Sequence, residues 1–221
     1  MYKIILIDDD NSELVKIRRT IKANQPSDCV WNTDYIFEEY AIAEFDTEDK
    51  CVERILNDID SKSASLYIID YKLLTNKKLF KGNEIFYKVA NKVPEFPIVI
   101  LTERAEESMS EELVDADKVY EKEQFFKLEE QYSRNKVTNL FHNMKRYATK
   151  LNSLENDMKY LLDRIAKEKM NPDIVRDITS LEMEMSKYLP FQISMSEQIY
   201  DANRLREVVS LLTDVRRLIE D

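Results

Sequence analysis

LYIID at residues 66–70 decides the fold expected for this chain, because four apolar side chains run directly into an acid. Short apolar runs separated by helix-length segments are typical of buried parallel strands. In a parallel sheet the carboxyl ends of the strands lie at one edge, where the polar groups that follow them converge. Three further runs fit this pattern, namely residues 4–7 before Asp8, residues 98–101 before Thr102, and residues 119–120 leading to Lys122.

The polar residues at these strand ends form a set that can move a phosphoryl group onto an aspartate. Asp70 is the nucleophile candidate, since a carboxylate can form an acyl phosphate. Asp8, Asp9 and Asp70 can hold Mg2+, a hard cation that prefers oxygen ligands and keeps several waters. We expect Asp9 and Asp70 to be direct ligands and Asp8 to bind through water. Lys122 and the metal would offset charge on the phosphoryl oxygens, and Thr102 can donate a hydrogen bond to one of them.

Residues 1–128 resemble the receiver domain of two-component response regulators. The resemblance rests on four motifs, ILIDDDN at 5–11, LYIIDYKL at 66–73, PIVILTE at 97–103 and DADKVYEKEQF at 115–125. It implies a flavodoxin-like α/β fold, a doubly wound parallel sheet of five strands in the order 2-1-3-4-5. By position it assigns the site residues of the family, with Asp70 as phosphoacceptor, Asp8 and Asp9 as metal acids, Thr102 as switch hydroxyl and Lys122 as active-site lysine.

The chain departs from the family pattern at places that bear on the site. Glu103 stands where receivers usually have a small residue, and we expect this anion to slow phosphorylation or to shield the product. Eleven residues separate Asp70 from Gly82, several more than is usual in the family. Gly82 is the chain's one glycine, which indicates a backbone requirement at that turn. Residues 25–38 also resemble an insertion, which places the second strand at about residues 39–45.

Composition and charge argue against several classes of protein. The chain has 221 residues, two cysteines and no apolar stretch near the roughly 20 residues that a transmembrane helix needs. We find no secretory signal pattern and too few cysteines for a disulfide framework, so we expect a soluble cytoplasmic protein without membrane association. Residues 129–221 carry 16 acidic and 15 basic side chains, against 27 and 18 in residues 1–128. A nearly neutral second half is a poor candidate for binding duplex DNA.

The second half, residues 129–221, is predicted to be an all-α domain, either a helical bundle or a coiled coil. Its first apolar residues repeat at 3-4 spacing for four heptads, as in supercoiled helices. We expect this first helix to begin near Glu123 and to end near Lys169, with two shorter helices after it. The long seam favours a homodimer, and a three-helix bundle within one chain remains open. The first seam is Val137, Leu140, Met144, Tyr147, Leu151, Leu154, Met158, Leu161 and Ile165, the second Ile174, Ile178, Leu181, Met185 and Tyr188, and the third Leu205, Val208, Leu212, Val215 and Ile219.

His142, the chain's one histidine, lies in a stretch that has basic but no acidic residues, residues 131–154. The sequence HNMK at 142–145 is similar to the H-x-x-K start of a histidine phosphotransfer motif, although Arg146 stands where that family usually has a glycine. By the heptad register His142 lies opposite the seam, so we expect it to be exposed. It is either an ordinary surface residue or a phosphoryl acceptor for a receiver held by the basic face.

These observations predict a two-component response regulator that accepts a phosphoryl group on Asp70, with Mg2+, from a sensor histidine kinase or a phosphotransfer protein. Its output would be helical dimerisation or partner binding rather than DNA binding. It would not be a conventional enzyme, and would at most catalyse its own phosphorylation and dephosphorylation. Two alternatives remain open, a phosphorelay protein in which His142 and Asp70 exchange phosphoryl groups, and a pseudo-receiver scaffold that has lost the chemistry.

Overall fold

The computed structural model of the chain describes residues 1–74, 79–103, 116–128, 130–167 and 172–190. Within them the chain forms two compact units, which are described separately. The first unit comprises Met1–Asn152 together with Lys187–Pro190, and the second includes Ser153–Ser186. The domain boundary at residue 128 stays a prediction about independent folding, and the first compact unit runs past it.

Five parallel strands form the sheet of the first unit, in the order β2-β1-β3-β6-β7. A separate antiparallel hairpin, β4 and β5, lies between β3 and the third helix in the chain. Without the hairpin the order reads 2-1-3-4-5, so the flavodoxin-like α/β fold with a helical extension is confirmed. The strands are β1 Tyr2–Ile7, β2 Tyr35–Glu39, β3 Leu66–Asp70, β4 Lys72–Leu74, β5 Leu79–Lys81, β6 Ile98–Thr102 and β7 Val119–Glu121. The helices are α1 Asn11–Asn24, α2 Glu48–Asp60, α3 Gly82–Lys92, α4 Lys122–Phe125, α5 Gln131–Lys167 and α6 Pro172–Met185.

The second strand is not where the sequence placed it. The segment Tyr35–Glu39 forms β2 and pairs with β1, whereas the residues expected to form the strand contain a short 3-10 turn at Ile42–Glu44. Residues 41–45 are mostly apolar, as in a buried strand, but only Ile42 of the turn is buried. The true strand starts with the fully buried Tyr35, inside the segment that resembled an insertion.

The apolar residues of each strand alternate between the two faces of the sheet. On one face, strand residues such as Ile4, Leu6 and Ile68 form a buried cluster with α1 and with the first half of α5. On the other face, α2 and α3 pack together, and α3 contacts β3 and β6. The α5 members of the cluster are Val137, Leu140, Phe141 and Met144.

The first half of the predicted seam is therefore part of the core of the α/β unit. The long helix begins at Gln131 rather than near Glu123, because the segment after Lys122 forms the one-turn helix α4 and a loop. A 3-4 apolar stripe is also what any helix needs to cover a sheet, and Val137 through Met144 serve that purpose. Tyr147 and Leu151 of the seam are buried as well.

In the second unit, the later part of α5 packs against α6 through Leu161, Ile174 and Ile178. Met158 and Leu181 border this cluster, so the second predicted seam faces the first one within a single chain. The third predicted seam, residues 205–219, lies outside the described residues. None of the helices that the structure describes combines the length and the apolarity needed to cross a membrane.

Gly82 holds the hairpin against the end of β3. Its N–H donates a hydrogen bond to the carbonyl oxygen of Tyr71, at 2.9 Å. A Cβ atom at this position would lie 2.0 Å from the backbone oxygen of Asp70, a distance that no side chain can occupy. The expected backbone requirement is thus a close approach of two chain segments, and φ at Gly82 is not positive. Glycine at this position lets the start of α3 approach the backbone of Asp70 closely.

Candidate functional site

The predicted site residues converge at the carboxyl edge of the sheet. Asp8 directly follows β1, Asp70 ends β3, Thr102 ends β6, and Lys122 directly follows β7. They surround a cavity of about 330 Å³. The cavity is lined by Asp8, Asp9, Asp10, Glu13, Asp70, Tyr71, Lys72, Thr102, Glu103 and Lys122.

Lys122 is the centre of the charged contacts in this cavity. Its Nζ atom lies 2.7 Å from Oδ1 of Asp70 and 3.1 Å from Oδ2 of Asp8. A third carboxylate, that of Glu13, lies 3.7 Å away. One ammonium group therefore faces three acids, and its side chain is only 9% exposed. Burial alone would lower the pKa of Lys122, but the carboxylates of Asp70 and Asp8 outweigh burial and raise it to about 12, so the lysine stays charged.

Asp8 is the most buried acid of the site, with 5% of its surface exposed. Its Oδ1 atom accepts a hydrogen bond from the N–H of Asp10 at 2.9 Å. The pKa of the Asp8 carboxyl is raised to about 6, chiefly by burial and to a smaller extent by the charge of Asp70, while Lys122 and the Asp10 N–H only partly oppose this. A single lysine thus does not neutralise the cluster.

Asp70 is held in place from both sides. Lys122 contacts its Oδ1 atom, and its Oδ2 atom accepts a hydrogen bond from the N–H of Lys72 at 3.1 Å. Lys72 begins the hairpin, so the inserted segment contributes a backbone donor to this side chain. The pKa of Asp70 is raised, chiefly by burial and also by the charge of Asp9, against the effect of Lys122.

The three predicted metal acids fit a divalent cation. Asp8, Asp9 and Asp70 each offer one carboxylate oxygen, and these atoms lie within 4.8 Å of one another. Oxygen is the ligand that Mg2+ prefers, and the exposed Asp9 leaves room for the waters that Mg2+ keeps. Burial is the main cause of the raised pKa values of Asp8 and Asp70, because it disfavours their charged forms, and a bound cation would stabilise those forms.

Thr102 and Glu103 form the wall of the cavity that follows β6. Thr102 is 2% exposed, and Glu103 beside it is exposed. Both residues line the cavity, so Glu103 shares a wall with the residue whose hydroxyl was predicted to meet the phosphoryl group. A negatively charged donor entering the cavity would meet this carboxylate as well.

Two acids of the site were not predicted from the sequence. Asp10 caps α1, since its Oδ1 atom accepts a hydrogen bond from the N–H of Ser12 at 2.7 Å. Glu13, three residues later, turns towards Lys122 and also pairs with Lys16 at 2.7 Å. The signal was present, because an acid followed three residues later by Glu is the spacing of a helix N-terminal capping box.

His142 does not belong to this cavity. It is exposed on α5 and is not among the residues that line the site. Part of the basic face around it is engaged within the first unit. Lys136 lies 4.3 Å from the ring centre of Tyr120, and Arg146 lies 3.8 Å from Glu95.

Comparison with known proteins gives only remote likenesses. No protein-family model matches this chain, and no curated protein matches it. Two structures of the RcsB response regulator of Salmonella typhimurium are 12% identical to it with a TM-score of 0.38, covering 90% and 91% of this chain and 98% and 100% of their own. A fusion containing residues 181–211 of the yeast Spc42 trimeric coiled coil is 16% identical, with a TM-score of 0.40, over 74% of this chain and 96% of its own. Likenesses this remote carry no argument, so the fold assignment rests on the strand order.

Proposed function

We propose that this protein is a two-component receiver that accepts a phosphoryl group on Asp70 from a phosphohistidine of a sensor histidine kinase or a phosphotransfer protein. The observation that carries the proposal is the contact of Lys122 with Asp70 at 2.7 Å and with Asp8 at 3.1 Å inside an acidic cavity. A structural ion pair would need one acid. This lysine serves three in a cavity open to solvent.

In the proposed reaction, an oxygen of ionised Asp70 attacks the phosphorus atom and forms an acyl phosphate. The P–N bond to the donor imidazole breaks, and the imidazole leaves with that electron pair and takes a proton from solvent. Lys122 balances charge on the phosphoryl oxygens, and Thr102 donates a hydrogen bond to one of them. Mg2+, bound by Asp8, Asp9 and Asp70, would supply the remaining positive charge.

Phosphorylation by a small donor tests the proposal directly. Incubation with phosphoramidate and Mg2+ should add one phosphate by intact-protein mass spectrometry, and Asp70→Asn should abolish the addition. Asp60→Asn is the matched control, because Asp60 is an exposed acid at the end of α2. Absence of the added phosphate at saturating donor and Mg2+, in folded protein, would reject phosphoryl acceptance and support the scaffold reading.

The phosphorelay alternative makes a different prediction for the same assay. The exposure of His142 on a helix that keeps Lys145 and Lys150 exposed nearby is the observation in its favour. Phosphate on His142 would persist in Asp70→Asn and disappear in His142→Ala. The linkage separates the two as well, since acyl phosphate survives mild acid better than phosphohistidine, which survives base.

The proposed output is partner binding or homodimer formation through the helical part, without DNA binding. Two large apolar residues support a protein contact there, since Tyr160 on α5 is 64% exposed and Met183 on α6 is 69% exposed. Light scattering of the wild type, with Tyr160→Lys and Met183→Lys variants, tests the homodimer. Leu151 and Leu154 are unsuitable positions, because both are buried and a charge there would disrupt folding.

A further inference from the structure

The helix that carries Lys122 is too short to be stable on its own. Helix α4 has four residues, Lys122–Phe125, and a single helical turn is unstable without outside contacts. Nevertheless the ammonium group of Lys122 must reach two carboxylates with ångström accuracy. Phe125 of α4 is buried in the core cluster, and further contacts to α4 come from the first turn of α5.

Tyr132 and Ser133, in that first turn, contact the chain on both sides of Lys122. The hydroxyl oxygen of Tyr132 accepts a hydrogen bond from the N–H of Glu121, the residue before Lys122, at 3.2 Å. On the other side, Oγ of Ser133 lies 2.8, 2.7 and 2.7 Å from three carbonyl oxygens that follow Lys122. They belong to Gln124, Phe125 and Lys127.

Ser133 supplies a hydroxyl donor to carbonyl groups at the end of α4, where a longer helix would supply N–H donors. The last carbonyl groups of a helix have no N–H partner within it. Ser133 is fully buried, so no solvent reaches its hydroxyl group, and its one proton can serve one of the three carbonyl groups at a time. Removing the hydroxyl would leave this turn of backbone without its side-chain donor.

A third contact lies one turn further along α5. Nζ of Lys136 sits 4.3 Å from the ring centre of Tyr120 and 5.5 Å from that of Tyr132. Tyr120 is two residues before Lys122 and is 2% exposed. The start of α5 thus touches the backbone or side chains of residues 120–127, with Lys122 in the middle.

We propose that Tyr132 and Ser133 are positioning residues, which clamp the backbone around Lys122 so that its ammonium group meets Asp70 and Asp8. The part that concerns phosphoryl transfer rests on the proposed function, whereas the placement of Lys122 does not. Coupling between two sites is reciprocal. A phosphoryl group on Asp70 that shifts Lys122 therefore acts on the start of α5 through the same two side chains.

The first test measures the accessibility of Lys122 and needs no phosphorylation. Full-length Tyr132→Phe and Ser133→Ala proteins are pulsed with an amine-reactive acylating reagent, and labelling of Lys122 is quantified by peptide mass spectrometry. We expect labelling to be about fivefold faster than in the wild type, as loss of one hydrogen bond predicts. The exposed Lys145 is the internal control, and Tyr160→Phe on the same helix is the matched variant.

The second test compares the phosphorylation rate with Mg2+ affinity. The rate with phosphoramidate should fall about fivefold in both clamp variants, because Lys122 is less often in place. The Kd of Mg2+ should not rise, since the metal acids follow β1 and β3 rather than α4 and a less well placed Lys122 competes less for Asp8 and Asp70. A variant that is only less stable should, while it is folded, show neither the slower phosphorylation nor a weaker Mg2+ affinity.

Wild-type labelling of Lys122 in folded Tyr132→Phe protein would overturn the clamp, whatever the phosphorylation result. Tyr132→Phe decides the matter if Ser133→Ala does not fold, since it removes one oxygen atom from a half-buried ring. If the wild type accepts no phosphate, the proposed function fails, and the labelling rates still test the clamp.

Discussion

Two clusters that contain buried aspartates lie near the two ends of β3. Burial of a carboxylate raises its pKa, and only one of the two clusters has contacts that outweigh this effect. At one cluster Asp58 accepts hydrogen bonds from Tyr40, Tyr67 and Arg54 at 2.7, 2.8 and 3.2 Å. Burial alone would raise the pKa of Asp58, but the two tyrosine hydroxyls in particular outweigh burial and hold it below its usual value. This carboxylate is fully paired and stable as an anion.

At the other cluster two carboxylates contact a single cationic side chain. Asp8 and Asp70 share one lysine, and burial leaves both with a raised pKa, that of Asp8 at about 6. Proteins place perturbed acids of this kind at functional sites more often than elsewhere. Burial of an aspartate alone therefore does not indicate a functional site, whereas burial of two acids that share one cation and keep a raised pKa does.

The largest expected effect is on the paired cluster. Asp58→Asn removes the charge that Arg54 and two tyrosine hydroxyls stabilise, so we expect the free energy of unfolding to fall by about 3 kcal/mol at pH 7. Urea denaturation followed by circular dichroism measures it. Asp60→Asn, an exposed acid of the same helix, should change stability by less than about 0.5 kcal/mol.

The cost of Asp58→Asn should also depend on pH. Because the folded-state pKa of Asp58 is lowered, its contribution is fully present above the unfolded-state pKa of about 3.9 and is lost as pH falls through the folded value. The difference in the free energy of unfolding between the wild type and Asp58→Asn should therefore be constant from pH 7 to about pH 5 and shrink below about pH 4. A difference that grows on acidification would contradict the pairing.

The next prediction concerns the backbone next to Asp70. Gly82→Ala puts a Cβ atom 2.0 Å from the carbonyl oxygen of Asp70, so β3 or α3 must shift. We expect a loss of about 2 kcal/mol in stability and slower phosphorylation of Asp70, with the hydrogen bonds of Asp58 unaffected. Asn91→Ala, an exposed change on the same helix, is the control. Wild-type stability and phosphorylation in Gly82→Ala would refute the close approach.

Asp8→Asn should act in the opposite direction from Asp58→Asn. In metal-free protein it removes an anion whose pKa is raised by burial, so the free energy of unfolding should rise by about 1 kcal/mol. Urea denaturation in the presence of a chelator tests this. With saturating Mg2+ the wild type should instead be more stable than Asp8→Asn, because a ligand stabilises the protein that binds it more tightly. A loss of stability without metal would show that Lys122 already neutralises the site.

The smallest expected effect concerns access to the site. Glu103→Ala should speed phosphorylation by phosphoramidate about threefold, because it removes an anion from the cavity wall. Initial rates by mass spectrometry measure it. Glu123→Ala is the matched control, since this exposed acid is not part of the cavity lining. An unchanged or lower rate in Glu103→Ala would show that the Glu103 carboxylate does not slow phosphorylation.

The strand ends were predictable because each is local in sequence. Four apolar residues before Asp70, and similar runs before Asp8 and Thr102, specify buried strands, and parallel pairing then brings the polar ends together. The paired cluster was not predictable, because Tyr40, Asp58 and Tyr67 come from different elements and no spacing rule links them. The hairpin was visible only as extra length between Asp70 and Gly82.

For the described part of the first two seams, the heptad pattern was correct about which helix faces are covered, but it did not predict what covers them. Leu140 and Met144 repeat with the spacing of a coiled coil, and the structure shows them packed on a sheet. The positions Leu161 and Ile174 instead meet within a helix pair. A periodic stripe predicts that a helix face is covered, and what covers it depends on the rest of the chain.

Helix α5 spans 37 residues without a break and contributes to two cores, through Val137–Met144 side chains in one and Leu161 in the other. Each residue turns an α-helix by about 100°. Inserting or deleting one residue between Leu140 and Met144 would therefore turn Met144 out of phase with Val137 and Leu140, which lie in the same core. Only a length change near a multiple of seven residues, about two turns, returns the later side chains to the same face of the helix. The part of α5 that covers the sheet thus carries a phase constraint that a loop would not impose.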